Sequence, residues 1–284
     1  MFYTESIKME NKNRFNKNKQ FRNAAKKPQD SKYRDFEPDE NVVSGRNAVK
    51  ELLQSGRHIE KMYVQSGERE GSITLLIGIA AERKIPIMEV DKNKLDQLSS
   101  GERHQGVVAI ASARNYYSVD DILEYAKSKD EPPFVIILDG VEDPHNLGAI
   151  IRSAECLGAH GVIIPKRRSV GLNTTVAKAS AGAVEYMRVA KVTNIASVID
   201  ELKERGLWIY AADMGENAYF DVDMTGPMAL VLGSEGFGIS RLVKEKCDFT
   251  VSIPMSGEVN SMNVSCAAAV VMADVVRQRK LKER

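Results

Sequence analysis

The sequence predicts an α/β fold: a mostly parallel, helix-covered sheet in the C-terminal half, preceded by a smaller α/β unit. From Phe134 onward, short apolar runs (FVIIL, GVIIP, LWIYAA, MALVL and FTVSIP) recur with helical segments between them. Near-continuous apolar runs are what strands covered on both faces require. Residues 41–113 carry a second strand and helix alternation of their own. A charged stretch ending at Pro132 and Pro133 separates the two, which is where a boundary belongs.

In the smaller unit, SGRNAVKELLQSG offers Ser44 as an N-cap, Val49, Leu52 and Leu53 at helical spacing, and Gly56 as a stop. KMYVQ reads as a strand, ITLLIGIAAERK as a helix, IPIMEV as a strand, NKLDQLS as a short helix and GVVAIAS as a closing β-branched strand. Residues 114–133, with SVDDILEYAKSKDEPP, read as a polar linker. From 134 to 284 the strands are the five runs above and a short piece near VEYMRVA. Helices are expected to start near Asn146, Asn173, Asn194 and Ile239, and a last one to run from about Asn260 to Arg279. Its segment VSCAAAVVMADVV is apolar on nearly all sides, so this helix is either deeply buried or shared with another subunit.

The chain has 284 residues, 43% of them hydrophobic, with 40 Lys and Arg against 39 Asp and Glu, a net charge of +1. That balance argues against a uniformly basic nucleic-acid coat but leaves room for a locally basic face. Between Met1 and Gln29, Lys8, Lys12, Arg14, Lys17, Lys19, Arg22, Lys26 and Lys27 outnumber Glu5 and Glu10, a local balance of +6. With Asn and Gln interleaved and no apolar periodicity, residues 1–40 are expected to be a disordered basic arm. A solubilising tail and a phosphate-binding arm are equally open readings of it. No apolar run reaches the roughly 18 residues that span a bilayer, and the N-terminus has no apolar signal region. A cytoplasmic location without membrane association is therefore expected. Cys156, Cys247 and Cys266 are far apart with no CxxC pair, and the four histidines lack HExxH spacing, so neither a disulfide framework nor a metal site is expected.

Three segments lie just beyond the C-terminal ends of expected strands, where open α/β sheets bind ligands. In LDGVEDPHNLGAIIRSAECLGAHGVIIP, Asn146 can cap the helix carrying Arg152, and Arg152 can pair with Glu155; alone, this reads as an ordinary cap and a solvated Arg. In MALVLGSEGFGISRLV, Gly233, Gly236 and Gly238 are spaced GxxGxG rather than GxGxxG, so the dinucleotide fingerprint is absent and a generic tight turn is the simpler reading. In VSIPMSGEVNSMNVSCAAA, a polar loop leads Ser261 and Asn263 into the apolar helix, again as expected caps. The order and spacing of the three together carry the specificity.

NLGAIIR, LVLGSEGFG and SIPMSGEVNSMNVS together resemble the three motifs of the SpoU (TrmH-type) 2′-O-ribose RNA methyltransferases, members of the SPOUT class. GVIIPKRRSVGLNTTVAKASAGAVE is similar to the RlmB-like branch, and residues 41–113 resemble that branch's ribosomal-protein-like RNA-binding domain. The resemblance implies a trefoil-knotted catalytic domain over 134–284, a homodimer, and S-adenosylmethionine held largely by backbone at Gly233, Ile253 and Met262. Met262 stands where Leu is more usual, a change that backbone contacts tolerate. The resemblance also implies catalytic roles for Arg152, Asn146, Glu235, Ser261 and Asn263.

An arginine guanidinium keeps its proton in proteins, so Arg152 is expected to bind the adjacent RNA phosphate and stabilise developing alkoxide charge rather than act as a base. Lys166, Arg167 and Arg168, with Arg46 in the smaller unit, are candidate RNA contacts. The basic C-terminus with Arg277, Arg279, Lys280, Lys282 and Arg284 is a further cationic segment. The branch resemblance points to a guanosine of 23S ribosomal RNA. Transfer RNA, or a non-catalytic RNA-binding and ribosome-assembly role, remain as alternatives.

Overall fold

Two sheets form from the two alternating regions. The computed structural model describes residues 41–67, 71–112, 114–215, 217–259 and 261–283; the expected basic arm lies outside the described residues. The first region contains β1 (Val42–Ser44), α1 (Arg46–Gln54), β2 (Ile59–Gln65), α2 (Ser72–Glu82), β3 (Ile87–Val90), α3 (Lys92–Leu98) and β4 (Val107–Ala111). The strand order is β1-β4-β2-β3, with β2 and β3 parallel and the other pairs antiparallel. On one face Leu52 and Leu53 of α1 and Leu76 of α2 pack against Met62, Val64, Val107 and Ala109; on the other, Leu95 of α3 meets Val42 and Val108.

Strand β1 has no counterpart in the sequence reading, being too short to show alternation. It takes up Ser44, fully buried, so Ser44 is not the N-cap. Gly45 holds that position at φ 97°, a conformation that favours glycine.

The expected polar linker is, in its middle, a helix: α4 (Val119–Ser128). It opens with a capping box, in which Ser118 Oγ accepts from the Asp121 N–H at 3.0 Å and Asp121 Oδ2 accepts from the Ser118 N–H at 2.7 Å. Its Val119, Ile122 and Ala126 are buried. Ile122 lies so close to Gly161 that a Cβ there would come within 2.5 Å of it. The charged residues that suggested a linker are the solvated side of an amphipathic helix.

The second region follows as β5 (Phe134–Asp139), α5 (Pro144–Cys156), β6 (Gly161–Pro165), α6 (Thr174–Ala179), a 3-10 turn at Ala183–Glu185, β7 (Val189–Val192), α7 (Ile195–Glu204), β8 (Trp208–Ala212), a 3-10 turn at Tyr219–Asp221, β9 (Met228–Gly233), α8 (Arg241–Lys246), β10 (Phe249–Val251) and α9 (Val264–Lys282). The strands form a parallel sheet in the order β10-β8-β9-β5-β6-β7. Alternate residues of β5 serve opposite layers. Phe134, Ile136 and Leu138 pack with α5, α6 and α9, through Leu147, Ile151, Val176, Ala268 and Met272. Val135 and Ile137 pack with α4, α7 and α8, through Ile122, Ile199, Leu202 and Val243. This double cover explains the uninterrupted apolar runs.

Several expected boundaries move. Asn173 and Asn194 do cap α6 and α7, accepting from the Val176 and Ser197 N–H groups. Asn146 does not cap α5: Asp143 accepts from the His145 N–H at 2.9 Å and Pro144 occupies the first turn. Helix α8 begins at Arg241 rather than Ile239, and α9 at Val264 rather than Asn260.

Both sheets belong to one compact unit, and a polar seam joins them. Thr174 Oγ1 donates to the Val42 carbonyl at 2.8 Å, Lys178 pairs with Glu102 at 2.7 Å, and the buried Glu185 carboxylate accepts from both Arg57 and Arg114.

At the start of β5, the Phe134 N–H donates to His160 Nδ1 at 2.9 Å, while His160 Nε2 stands 3.1 Å from Glu131 Oε2. Burial lowers the His160 pKa from its usual 6.5, outweighing Glu131, which pulls it upward. The unfolded chain therefore takes up this proton first, so the contribution of His160 to stability is present above about pH 6.5 and is lost as pH falls below it. The unfolding midpoint is expected to fall between about pH 7.5 and about pH 5.5, and less so in His160→Gln. Equal slopes in thermal unfolding of the two proteins would contradict this.

Candidate active site

The C-terminal ends of β5, β9, β8 and β10 lie side by side, as their parallel registers require: Asp139 pairs with Gly233, Leu232 with Ala212, and Ala212 with Val251. A cavity of about 750 Å³ opens at that edge, between β8, β9 and β10 and the start of α9. This is within the usual range for small-molecule sites. Its walls are Leu232, Gly233, Val251, Ile253, Met262, Val264, Ala267 and Val271, with Asp213, Glu235, Ser261 and Asn263 as polar members.

Gly233 is needed there for steric reasons. A Cβ on it would lie 2.1 Å from the Gly238 carbonyl carbon and 2.2 Å from the Ile239 nitrogen. The turn between them is held by reciprocal hydrogen bonds, Ser234 N–H to the Gly238 carbonyl and Gly238 N–H to the Ser234 carbonyl, each 3.0 Å. Gly236 at φ 90° and Gly238 at φ 65° supply the turn's left-handed residues. Asp139 Oδ2 accepts from the Ser240 N–H at 2.8 Å and so secures the entry to α8 from β5.

At the mouth of the cavity three side chains meet, from the first turn of α5, the turn after β9 and the cap of α9. Asn146 Nδ2 donates to Glu235 Oε1 at 3.0 Å; Asn263 Nδ2 donates to the same oxygen at 2.7 Å and stands 2.9 Å from Asn146 Oδ1. Asn263 Oδ1 meanwhile accepts from the Ser265 N–H at 2.9 Å, capping α9. One residue thus ends a loop, starts a helix and fixes a carboxylate. The buried Asn146, freed from capping by Asp143, has both ends of its amide engaged.

Of the expected site residues, Gly233, Glu235, Ile253, Ser261, Met262 and Asn263 line the cavity, and Asn146 touches it through Glu235 and Asn263. Arg152 is not brought to them. It follows Asn146 by six positions on α5, about 240° around the axis and about 9 Å along it. It is exposed and, among the described residues, forms no ion pair, with Glu155 or otherwise. Lys166, Arg167 and Arg168 are exposed on the loop after β6. Arg46 is engaged within the smaller unit, donating to the Gln105 carbonyl at 3.1 Å and to Ser72 Oγ at 3.3 Å.

Two cations of the basic C-terminus are engaged by the fold itself. Arg279 donates to the carbonyls of Pro132, Pro133 and Gly226, at the opposite edge of the sheet, and Arg277 binds Asp274 at 2.6 Å. Sequence reading missed Asp213, Met214 and Met255 as cavity residues, since they carry no motif. The position of Asp213, just after β8, was the available signal. Among the described residues no group of His, Cys, Asp or Glu could hold a metal ion, and no helix is long and apolar enough to cross a membrane.

The cavity suits S-adenosylmethionine: apolar walls, backbone at Gly233 in the place of a side chain, and a capacity within the small-molecule range. Comparison with known proteins agrees. Residues 133–273 match the SpoU rRNA Methylase family, and residues 42–117 match a domain described as RNA 2′-O ribose methyltransferase substrate binding. The chain is 49% identical over 240 residues to YacO of Bacillus subtilis (strain 168), named as a TrmH family tRNA/rRNA methyltransferase, covering 84% of this chain and 96% of that one. Among solved structures, the SpoU methyltransferase AviRb from Streptomyces viridochromogenes, in complex with AdoMet, is 25% identical with a TM-score of 0.70, over 84% of this chain and 90% of that one. A structure described as an RNA 2′-O ribose methyltransferase is 26% identical with a TM-score of 0.69, over 84% of this chain and 88% of that one. A relative matched over nearly its whole length, and family matches in both sheet regions, establish that the chain belongs to the SpoU (TrmH-type) family of RNA methyltransferases, which use S-adenosylmethionine.

Proposed function

We propose that this enzyme methylates the 2′-hydroxyl of a ribose, that of a guanosine in 23S ribosomal RNA, as a homodimer. The observation that carries the reading is the Glu235 carboxylate, held by two Asn amides at the mouth of an apolar cavity. S-adenosylmethionine, when bound, supplies an electrophilic methyl on a sulfonium. Gly233, Ile253 and Met262 hold it through the walls they form. Ser261, Glu235, Asn146 and Asn263 orient the ribose, and orientation alone can lower such a barrier by several kcal/mol. Arg152, exposed on α5 away from these residues, binds a neighbouring RNA phosphate, and the proton of the 2′-hydroxyl leaves to water or a phosphate oxygen. Lys166, Arg167 and Arg168 add phosphate contacts. We assign the trefoil threading of the family to the loops around the cavity.

The dimer is supported by α9. Its Ala268, Val271, Met272 and Val275 are buried against the sheet, whereas Ala269, Val270, Ala273 and Val276 on the other side are not. A second copy is the cover that an apolar second face calls for.

The test is transfer of labelled methyl from S-adenosylmethionine to ribosomal and transfer RNA from cells lacking the activity, followed by alkaline hydrolysis. Label in an alkali-resistant dinucleotide from 23S RNA supports the reading. Label on transfer RNA alone favours the substrate that the relatives' names also allow, and alkali-sensitive label overturns ribose methylation. In the same assay Arg152→Lys keeps the charge but loses the planar fork, and is expected to lower the rate roughly tenfold or more. A wild-type rate would contradict bidentate phosphate binding.

A further inference from the structure

Phe237 is 95% exposed, the highest value among the large hydrophobic side chains of the described residues. It is not on a loose tail. It lies between Gly236 and Gly238 in the turn that Ser234 and Gly238 close with two hydrogen bonds. The same turn carries Glu235, two residues away. Gly236 and Gly238 line the cofactor cavity but Phe237 does not, so the ring stands outside it.

The chemistry around this ring is specific. A Cβ at Gly140 would lie 3.5 Å from Ser234 Cβ and 3.9 Å from the Arg168 carbonyl, so the loop with Lys166, Arg167 and Arg168 runs beside the root of the turn. An exposed cationic cluster, a fixed carboxylate with two amides, and a free aromatic face therefore adjoin. These match the three parts of a nucleotide: phosphate, ribose hydroxyl and base. An aromatic platform beside a basic track is how proteins hold unpaired nucleotides without requiring a particular base.

We propose that Phe237 is a positioning residue on which the base of the target nucleotide stacks. The inference rests on the reading above that a ribose is delivered to Glu235, and it adds how the nucleotide is gripped and by which residue. The glycines on either side allow the ring to project clear of the cofactor cavity, so base binding and cofactor binding are separable.

The experiment uses the full chain and a short RNA carrying the mapped target nucleotide, intact or abasic at that position. With intact RNA, Phe237→Ala is expected to raise KM roughly tenfold, the scale of one base–aromatic stack, with kcat within about twofold. Affinity for S-adenosylmethionine, by calorimetry, should be unchanged, and Phe237→Tyr should restore KM where Phe237→Leu does not. With abasic RNA, wild type and Phe237→Ala should have the same KM. An unchanged KM for Phe237→Ala on intact RNA overturns the proposal, as does an equal loss on abasic RNA. A shift to monomer in sedimentation would assign the ring to contact between copies instead. Wild-type methylation of a base atom would defeat the ribose reading itself, and the proposal with it; ribose methylation with a Phe237-independent KM defeats the proposal alone.

Discussion

Asn263→Asp is expected to lower single-turnover methyl transfer by about 100-fold, which is about 2.7 kcal/mol of transition-state stabilisation, while leaving the protein folded. The substitution separates two functions of one side chain. The new carboxylate can still accept from the Ser265 N–H, so the cap of α9 survives. What is lost is the Nδ2 donor, 2.7 Å from Glu235 Oε1 and 2.9 Å from Asn146 Oδ1. In its place stands an acceptor facing a carboxylate and a carbonyl. Two carboxylates at that distance do not both stay ionised in place, so one takes a proton or swings away. Either response releases Glu235, and displacing a positioning group by about 1 Å can cost two orders of magnitude in rate. Asn263→Ala is the comparison: it loses the cap as well, at about 1 kcal/mol of stability, which denaturant unfolding resolves. If Asn263→Asp kept a rate within a few-fold of wild type, the contact between the three side chains would have no part in the reaction.

Gly233→Ala is expected to weaken S-adenosylmethionine binding on the order of 100-fold and to lower stability by about 1–3 kcal/mol, the scale of inserting a methyl into a packed site. The atoms it meets are backbone: the Gly238 carbonyl carbon at 2.1 Å, the Ile239 nitrogen at 2.2 Å and the Gly238 oxygen at 2.3 Å. No rotamer relieves such a clash. The turn must move outward, opening the Ser234–Gly238 pair and displacing Glu235 from the two amides. Gly236→Ala is the control, since a Cβ there meets nothing within 4 Å and pays only for its φ of 90°, about 1–3 kcal/mol. Calorimetry with the cofactor should show a large loss for the first variant and a small one for the second. Equal affinities would mean that the turn yields freely and that Gly233 is not a steric requirement of the site.

Much of the architecture was legible because it rests on local signals. A strand buried on both faces must be apolar throughout, and FVIIL and MALVL announce β5 and β9 without any knowledge of their neighbours. Asn173 and Asn194 reveal the starts of α6 and α7 because a cap is a bond between residues three apart. The same logic misled at Asn146, where Asp143, three positions earlier and just before Pro144, satisfied the helix first. It misled again in α4, whose solvated side made an amphipathic helix look like a linker. Arg279 was taken for a phosphate contact because its neighbours are basic, yet it is held by three backbone carbonyls.

The sequence by itself determined the α/β class, the order of the three motifs and, through them, the family. The tertiary structure decided which residues act as a unit. Asn146 and Glu235 are 89 positions apart, Asn146 and Asn263 are 117 apart, and all three meet because β9 lies beside β5 and the loop before α9 returns across their ends. Neither helical nor strand periodicity encodes that adjacency. Periodicity reports which face of an element is buried, whereas the order of strands in a sheet is set by packing of the whole chain. The same packing ties Arg279 to three backbone carbonyls, leaves Arg152 in solvent and sets Phe237 outside the cavity, three fates that no local pattern distinguishes.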